Sequence, residues 1–167
     1  MDLMLSFALA LFLTIVMVPL LIRMAPALGL LDEPDERKVH VSAIPRCGGL
    51  AIAAGFFIAV AFWLPLERQV VSLLAAALVI VVFGVADDRN DLDYKWKFFG
   101  QILAVNIVIA GGVCIEHLPF MPLDFMAPWL SYPLTFFFLL GAINAVNLTD
   151  GLDGLAAGTT LLALALV

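Results

Sequence analysis

Asp87 and Asp88 stand side by side directly after a run of apolar residues, and Asp150 and Asp153 stand three apart after another. Carboxylates at a membrane boundary are expensive. An Asp placed in hydrocarbon costs on the order of 2.5 to 3.5 kcal/mol, and like charges raise one another's pKa unless a cation intervenes. Magnesium resolves that conflict, because it takes hard oxygen ligands and binds through one or two carboxylates together with substrate phosphates. Taken alone, Asp87 and Asp88 also fit an acidic cap on a solvated loop.

The second cluster lies in NAVNLTDGLDGLAAG, where polar residues recur every three positions: Asn144, Asn147, Asp150 and Asp153. On a helix that spacing puts neighbours on adjoining faces, so Asn144 and Asn147 are expected to face protein rather than lipid, where an unpaired amide is costly. Gly151 and Gly154 then interrupt the pattern and allow positive φ and close approach of a ligand, while Asp150 and Asp153 can accept hydrogen bonds or hold metal. A plain turn between two helices would need one glycine and one cap. A third stretch, containing Arg37, Lys38, His40, Pro45, Arg46, Gly48 and Gly49, brings positive charge that would suit phosphate. The tendency of basic residues to collect on the cytoplasmic side accounts for the same Lys and Arg, and for Lys95 and Lys97, without any ligand.

The elements that must position these residues are apolar runs. The first, Leu3 to Met24, is long enough to cross a bilayer, which takes roughly 20 residues. Pro19 is expected to kink it. The run is too long, and its start too poor in basic residues, for a cleaved signal peptide. Further runs follow at Gly48 to Leu66, Val70 to Ala86, Phe98 to Ile115 and Trp129 to Leu148. A sixth starts near Leu155 and reaches Val167 after roughly 13 residues, short of a crossing at helical rise. The expectation is an all-α, polytopic transmembrane helix bundle, residues 1–167 forming one transmembrane domain with five full spans and a truncated sixth. Arg23, Arg37, Lys38 and Arg46 follow the first span, and Arg89, Lys95 and Lys97 the third; only Arg68 lies elsewhere. By the positive-inside rule the N-terminus is then outside, and three acid-bearing loops meet on the cytoplasmic face.

Composition agrees. Of 167 residues 64% are hydrophobic and 13% charged, with a mean hydropathy of +1.12, against roughly 25% charged residues in a soluble domain. The formal net charge of -6 excludes nucleic acid as a partner, since phosphates there are met by clustered Lys and Arg. Cys47 and Cys114 have no CxxC or Cys/His spacing, so neither a disulfide framework nor a zinc site is implied.

Together, NAVNLTDGLDGLAAG, GVADDRNDLDYKWKFFGQ and GLLDEPDERKVHVSAIPRCGGLAI, in their order along the chain, resemble the polyprenyl-phosphate N-acetylhexosamine-1-phosphate transferase family. These are integral membrane enzymes that begin the lipid-linked stage of bacterial cell-envelope glycans. The form of the first loop is similar to the branch that makes undecaprenyl-pyrophosphoryl-N-acetylglucosamine for O-antigen lipopolysaccharide, enterobacterial common antigen or teichoic acid. The peptidoglycan branch carries a Thr-Pro-Thr-Met-Gly-Gly type stretch where this chain has Ile44, Pro45, Arg46, Cys47, Gly48 and Gly49.

The resemblance implies a reaction in which undecaprenyl phosphate attacks the β-phosphorus of a UDP-N-acetylhexosamine and UMP leaves, with Mg2+ as cofactor and Mn2+ as its substitute. It makes Asp87, Asp88 and Asp150 the catalytic candidates: Asp87 activates the lipid phosphate, Asp88 and Asn147 hold the metal, and Asp150 positions the nucleotide. Gly151, Leu152 and Asp153 become uridine contacts, and Lys38, Arg46 and Lys97 further substrate contacts. Implied partners are the UDP-sugar, undecaprenyl phosphate, the lipid bilayer and a second copy in a homodimer; the location is the bacterial inner (plasma) membrane. The family pattern continues past Val167 to a metal-binding Asp and a His-rich loop, so residues 1–167 alone are expected to be inactive. Two rivals remain. Asp87, Asp88 and Asp91 share the DDxxD spacing of magnesium-dependent prenyltransferases, and a transporter or structural bundle would place ionisable residues within its spans.

Overall fold

The computed structural model describes residues 2–32, 43–118, 126–150 and 154–165. Within them the all-α expectation holds: α1 (Asp2–Leu28), α2 (Gly48–Trp63), α3 (Arg68–Asn90), α4 (Tyr94–Ala110), α5 (Pro128–Thr149) and α6 (Leu155–Ala165) pack in sequence order, α1 on α2, α3 on α4, and α4 on α5. Two residues on each side, β1 (Leu31–Asp32) and β2 (Ile44–Pro45), pair antiparallel and bring the end of α1 to the start of α2. The Arg46 backbone N–H, donating to the Leu30 carbonyl at 2.9 Å, extends that clasp. Beneath it Ala25, Leu30 and Cys47 are buried together, so Cys47 is a core residue and a free thiol.

Among the described residues three helices are long and apolar enough to cross a membrane: Met4–Leu28, Arg68–Asn90 and Pro128–Thr149. The first runs unbroken through Pro19 and Pro26. α2 and α4 have 16 and 17 residues, about 24 and 26 Å at helical rise, and both depart from the apolar runs that suggested them. α2 stops at Trp63 because Leu64 precedes Pro65 and takes an extended conformation (φ -101°, ψ 136°). α4 starts earlier, at Tyr94, and ends at Ala110, where Gly111 and Gly112 turn the chain, Gly112 at φ +90°.

Beyond α4 the backbone is irregular, and side chains satisfy its polar groups. Thr135 Oγ1 accepts the Ile115 N–H at 2.8 Å, and Ser131 donates to the Ile115 carbonyl at 2.7 Å. Arg68, the one basic residue outside the two basic loops, lies at this end too. Its guanidinium donates to the Ala110 carbonyl, an orphan acceptor at a helix C-terminus where positive charge is favoured.

Helices in lipid gain little from the hydrophobic effect and associate through small residues that let backbones approach. α2 buries Ala51, Gly55 and Ala59 at four-residue spacing, and large apolar side chains such as Phe7, Phe12, Phe62, Phe137 and Phe138 remain outward. A Cβ at Gly55 would sit 2.7 Å from the Ala10 carbonyl oxygen and 2.5 Å from Thr14 Oγ1. Gly55→Val is therefore expected to cost about 1–3 kcal/mol, read as a lower melting temperature of the detergent-solubilised protein. An unchanged melting temperature would show that α1 and α2 can separate freely.

Candidate active site

Helix α3 does not end where the apolar run ends. It continues through Asn90, so Asp87 and Asp88 occupy its last turn. Asp91 terminates it in the left-handed region (φ 46°), a conformation Asp tolerates better than most residues. Asp93 precedes the first turn of α4, and the resulting short connection folds Lys97 back on α3.

Asp87 is held at three points. The Asp91 N–H donates to its carbonyl at 2.8 Å, the Leu92 N–H donates to Oδ1 at 3.0 Å, and Lys97 Nζ lies 2.8 Å from the same Oδ1. Both side chains keep partial exposure, 31% for Asp87 and 42% for Lys97, so the pair is accessible to a ligand. α3 and α4 come close here because of Gly100: a Cβ there would lie 2.5 Å from the Phe83 ring.

Asp87 and Lys97 open on a cavity of about 350 Å3 between α3, α4 and α5, lined also by Gln101, Asn147, Phe83 and Gly84. A second cavity, about 640 Å3, lies on the α4–α5 side and shares Lys97, Gln101 and Asn147, adding Tyr94, Lys95 and Asn144. Asn144 is half-buried and faces α4 as its spacing implied: its Nδ2 donates to Gln101 Oε1 at 2.9 Å and to the Leu140 carbonyl at 2.8 Å. Asn147, one turn further on, is exposed at the rim.

Asp88 points another way. It borders a smaller cavity, about 140 Å3, with Arg46 and Gly49 between α2 and α3, and Arg46 Nη1 approaches its Oδ1 to 3.9 Å. The structure thus brings Asp87, Lys97 and Asn147 to one cavity and Asp88 and Arg46 to the next. Asp150 is the exposed C-cap of α5 (φ -80°, ψ 39°), its N–H donating to the Val146 carbonyl at 3.2 Å, and it lines neither of the two larger cavities. Gly154 has positive φ (+78°), while Lys38, Gly151, Leu152 and Asp153 lie outside the described residues. Among the described residues no three His, Cys, Asp or Glu side chains form a group able to hold a metal alone.

Gln101 was not among the site candidates of the sequence, yet it borders both larger cavities. The signal was present: it stands four residues after Lys97, hence on the same helix face, as a polar residue in an apolar run.

Residues 70–167 match the family described as Glycosyl transferase family 4. Over 165 residues the chain is 35% identical to the probable undecaprenyl-phosphate N-acetylglucosaminyl 1-phosphate transferase of Bacillus subtilis (strain 168), an alignment covering 97% of this chain and 46% of that protein. It is 34% identical over 142 residues to the undecaprenyl-phosphate alpha-N-acetylglucosaminyl 1-phosphate transferase of Yersinia pestis, covering 81% and 38%. A phospho-N-acetylmuramoyl-pentapeptide-transferase of Acetivibrio thermocellus is 30% identical over 175 residues, covering 95% and 52%. The chain spans about half the length of the curated relatives it matches, or less. No solved structure gives a significant match. The family match takes in more than half of the chain, from the start of α3 to Val167, and contains both acidic clusters with Lys95 and Lys97 between them: the chain belongs to glycosyl transferase family 4.

Proposed function

We propose that the full-length protein transfers an N-acetylhexosamine 1-phosphate, with N-acetylglucosamine as the sugar, from its UDP donor to undecaprenyl phosphate and releases UMP. The observation that carries this reading is the Asp87–Lys97 pair opening, with Asn147, on one cavity at the charged end of three helices. The relatives, by name undecaprenyl-phosphate N-acetylglucosaminyl 1-phosphate transferases, support a polyprenyl phosphate acceptor and an N-acetylglucosamine 1-phosphate group. The charged end would face the cytoplasm of a bacterial inner membrane, where the positive-inside rule puts it.

Phosphoryl transfer asks little covalent chemistry of a protein; it needs in-line positioning and neutralisation of charge. A phosphate monoester has its second pKa near 6, so the lipid phosphate is mostly dianionic at neutral pH. Asp87 accepts the proton of the minor monoanionic fraction, so that the attacking oxygen is the dianion's, and its own position is fixed by the Leu92 N–H and Lys97. Lys97 offsets charge on the diphosphate beside it. Asp150, at the open end of α5, would meet the nucleotide together with Gly151, Leu152 and Asp153, and Arg46 and Lys38 would draw in anionic substrate from the first loop.

The donor set suits magnesium: the Asp87 and Asp88 carboxylates and the Asn147 amide oxygen are hard oxygen ligands, and magnesium commonly uses one or two carboxylates plus substrate phosphates. Asp87 and Asn147, which border one cavity, would hold it, and Asp88, which borders the Arg46 cavity, would reach it only after its side chain reorients. When bound, it would supply charge neutralisation on the diphosphate.

The test is UMP release from UDP-N-acetylglucosamine by membranes containing the full-length protein and undecaprenyl phosphate. Release should occur with wild type, stop in EDTA, return with magnesium, and be abolished by Asp88→Asn and by Asp150→Asn without loss of membrane insertion. No UMP from this donor, from UDP-N-acetylgalactosamine or from UDP-N-acetylmuramoyl-pentapeptide would overturn the assignment. Turnover of a prenyl diphosphate with an aromatic acceptor would favour the prenyltransferase instead, and solute flux without UMP release a transporter.

A further inference from the structure

Gln101 is 8% exposed, in the middle of the α3–α4–α5 contact. Its orientation is decided by its neighbour. Asn144 presents one side-chain atom both to the Leu140 carbonyl, at 2.8 Å, and to Gln101, at 2.9 Å. A backbone carbonyl can only accept, so that atom is the amide nitrogen, and the atom Gln101 turns toward it must be its oxygen. Gln101 Nε2, with two N–H donors, is left on the other side, and among the described residues no acceptor takes it up. Unpaired buried donors are rare in folded proteins because burial without a hydrogen bond is costly. This one belongs to a side chain that borders the Asp87, Lys97 and Asn147 cavity.

We propose that Gln101 is a ligand-binding residue: its amide nitrogen donates to a phosphate oxygen of the diphosphate held beside Lys97. The inference rests on the reading under Proposed function and adds to it a neutral donor one helical turn below the cation. Lys97 is a point charge that attracts an anion from any direction, whereas an amide locked by Asn144 donates along one line. The pair therefore fixes the rotation of the phosphate as well as its presence, which is what in-line attack requires.

Two substitutions separate this role from a structural one. Gln101→Glu keeps an oxygen for Asn144 Nδ2 but removes both N–H donors; Gln101→Leu removes the oxygen as well. With the full-length detergent-solubilised protein in magnesium buffer, binding of UDP, inorganic pyrophosphate and uridine is measured by calorimetry, and melting temperature is followed in parallel. Gln101→Glu should keep the Asn144 contact and bind UDP and pyrophosphate roughly ten- to a hundredfold more weakly, with uridine unchanged; because its carboxylate also repels phosphate, the uncharged Gln101→Leu is the variant that reads the lost donor. Gln101→Leu should lose the same affinity and also melt lower. Wild-type affinity for both diphosphates in Gln101→Leu would overturn the proposal, because the donor would then be satisfied elsewhere. So would a loss confined to uridine, or no diphosphate binding by wild type. Diphosphate binding that is weakened by Gln101→Leu in a protein that releases no UMP would uphold the Gln101 contact and reject the transferase reaction.

Discussion

Asp87→Asn is expected to slow UMP release by about 10²- to 10⁴-fold, the range that removal of a positioned acid or base gives, while the protein inserts and melts as wild type. The substitution is nearly isosteric. Asn Oδ1 can still accept the Leu92 N–H that Asp87 accepts at 3.0 Å, so the turn between α3 and α4 survives; what goes is the negative charge opposite Lys97 and the ability to hold a proton or a cation. Initial rates at saturating donor and acceptor, with a melting curve on the same sample, provide the check. Activity within threefold of wild type would reduce Asp87 to a staple of that turn.

Lys97→Met should lower kcat/KM for the UDP-sugar by about 10²- to 10³-fold, as loss of a preorganised group that stabilises developing charge does. Methionine keeps the length and apolar stem of lysine, so the cavity wall between Gln101 and Asp87 stays largely filled. Among the described residues, Lys97 is the only cation lining the cavity that Asp87 shares. Because the two side chains are in direct contact at 2.8 Å, the double variant Asp87→Asn, Lys97→Met should lose much less than the product of the single losses. Losses that multiply would show that the two act independently, contrary to the geometry.

The broad fold was legible because membrane spans announce themselves by length and hydropathy: runs around Leu3 to Met24, Val70 to Ala86 and Trp129 to Leu148 each became a long helix. Their ends were harder. Hydropathy reports the boundary of apolar side chains, not of helical hydrogen bonding, so α1 runs on to Leu28 and α3 carries Asp87 and Asp88 within its last turn. In α4 the reverse happened. Gly111 and Gly112 broke a run that stayed apolar to Ile115, and the freed backbone was taken up by Ser131 and Thr135, partners 16 and 20 residues away that no local pattern reveals.

The site was legible as residue types but not as pairings. Asp87 and Asp88 are adjacent in sequence, which suggested one shared ion; consecutive helical positions point about 100° apart, and the two face different cavities. Arg68 looked like an exception to the charge asymmetry and proved to be the cap of α4. Gln101 stands four residues after Lys97 at the end of the stretch GVADDRNDLDYKWKFFGQ, but spacing alone does not tell its partner, which is Asn144, 43 residues later.

Among the described residues, the side-chain partners of Asp87 lie five and ten residues ahead of it, both within the α3–α4 hairpin. Contacts of such short sequence separation form fast, since little loop entropy must be lost to make them. The acid and its lysine can therefore be set as soon as this hairpin leaves the ribosome and enters the bilayer, before α5 delivers Asn147. Maturation of the centre then depends on the docking of later helices onto a preassembled charged core.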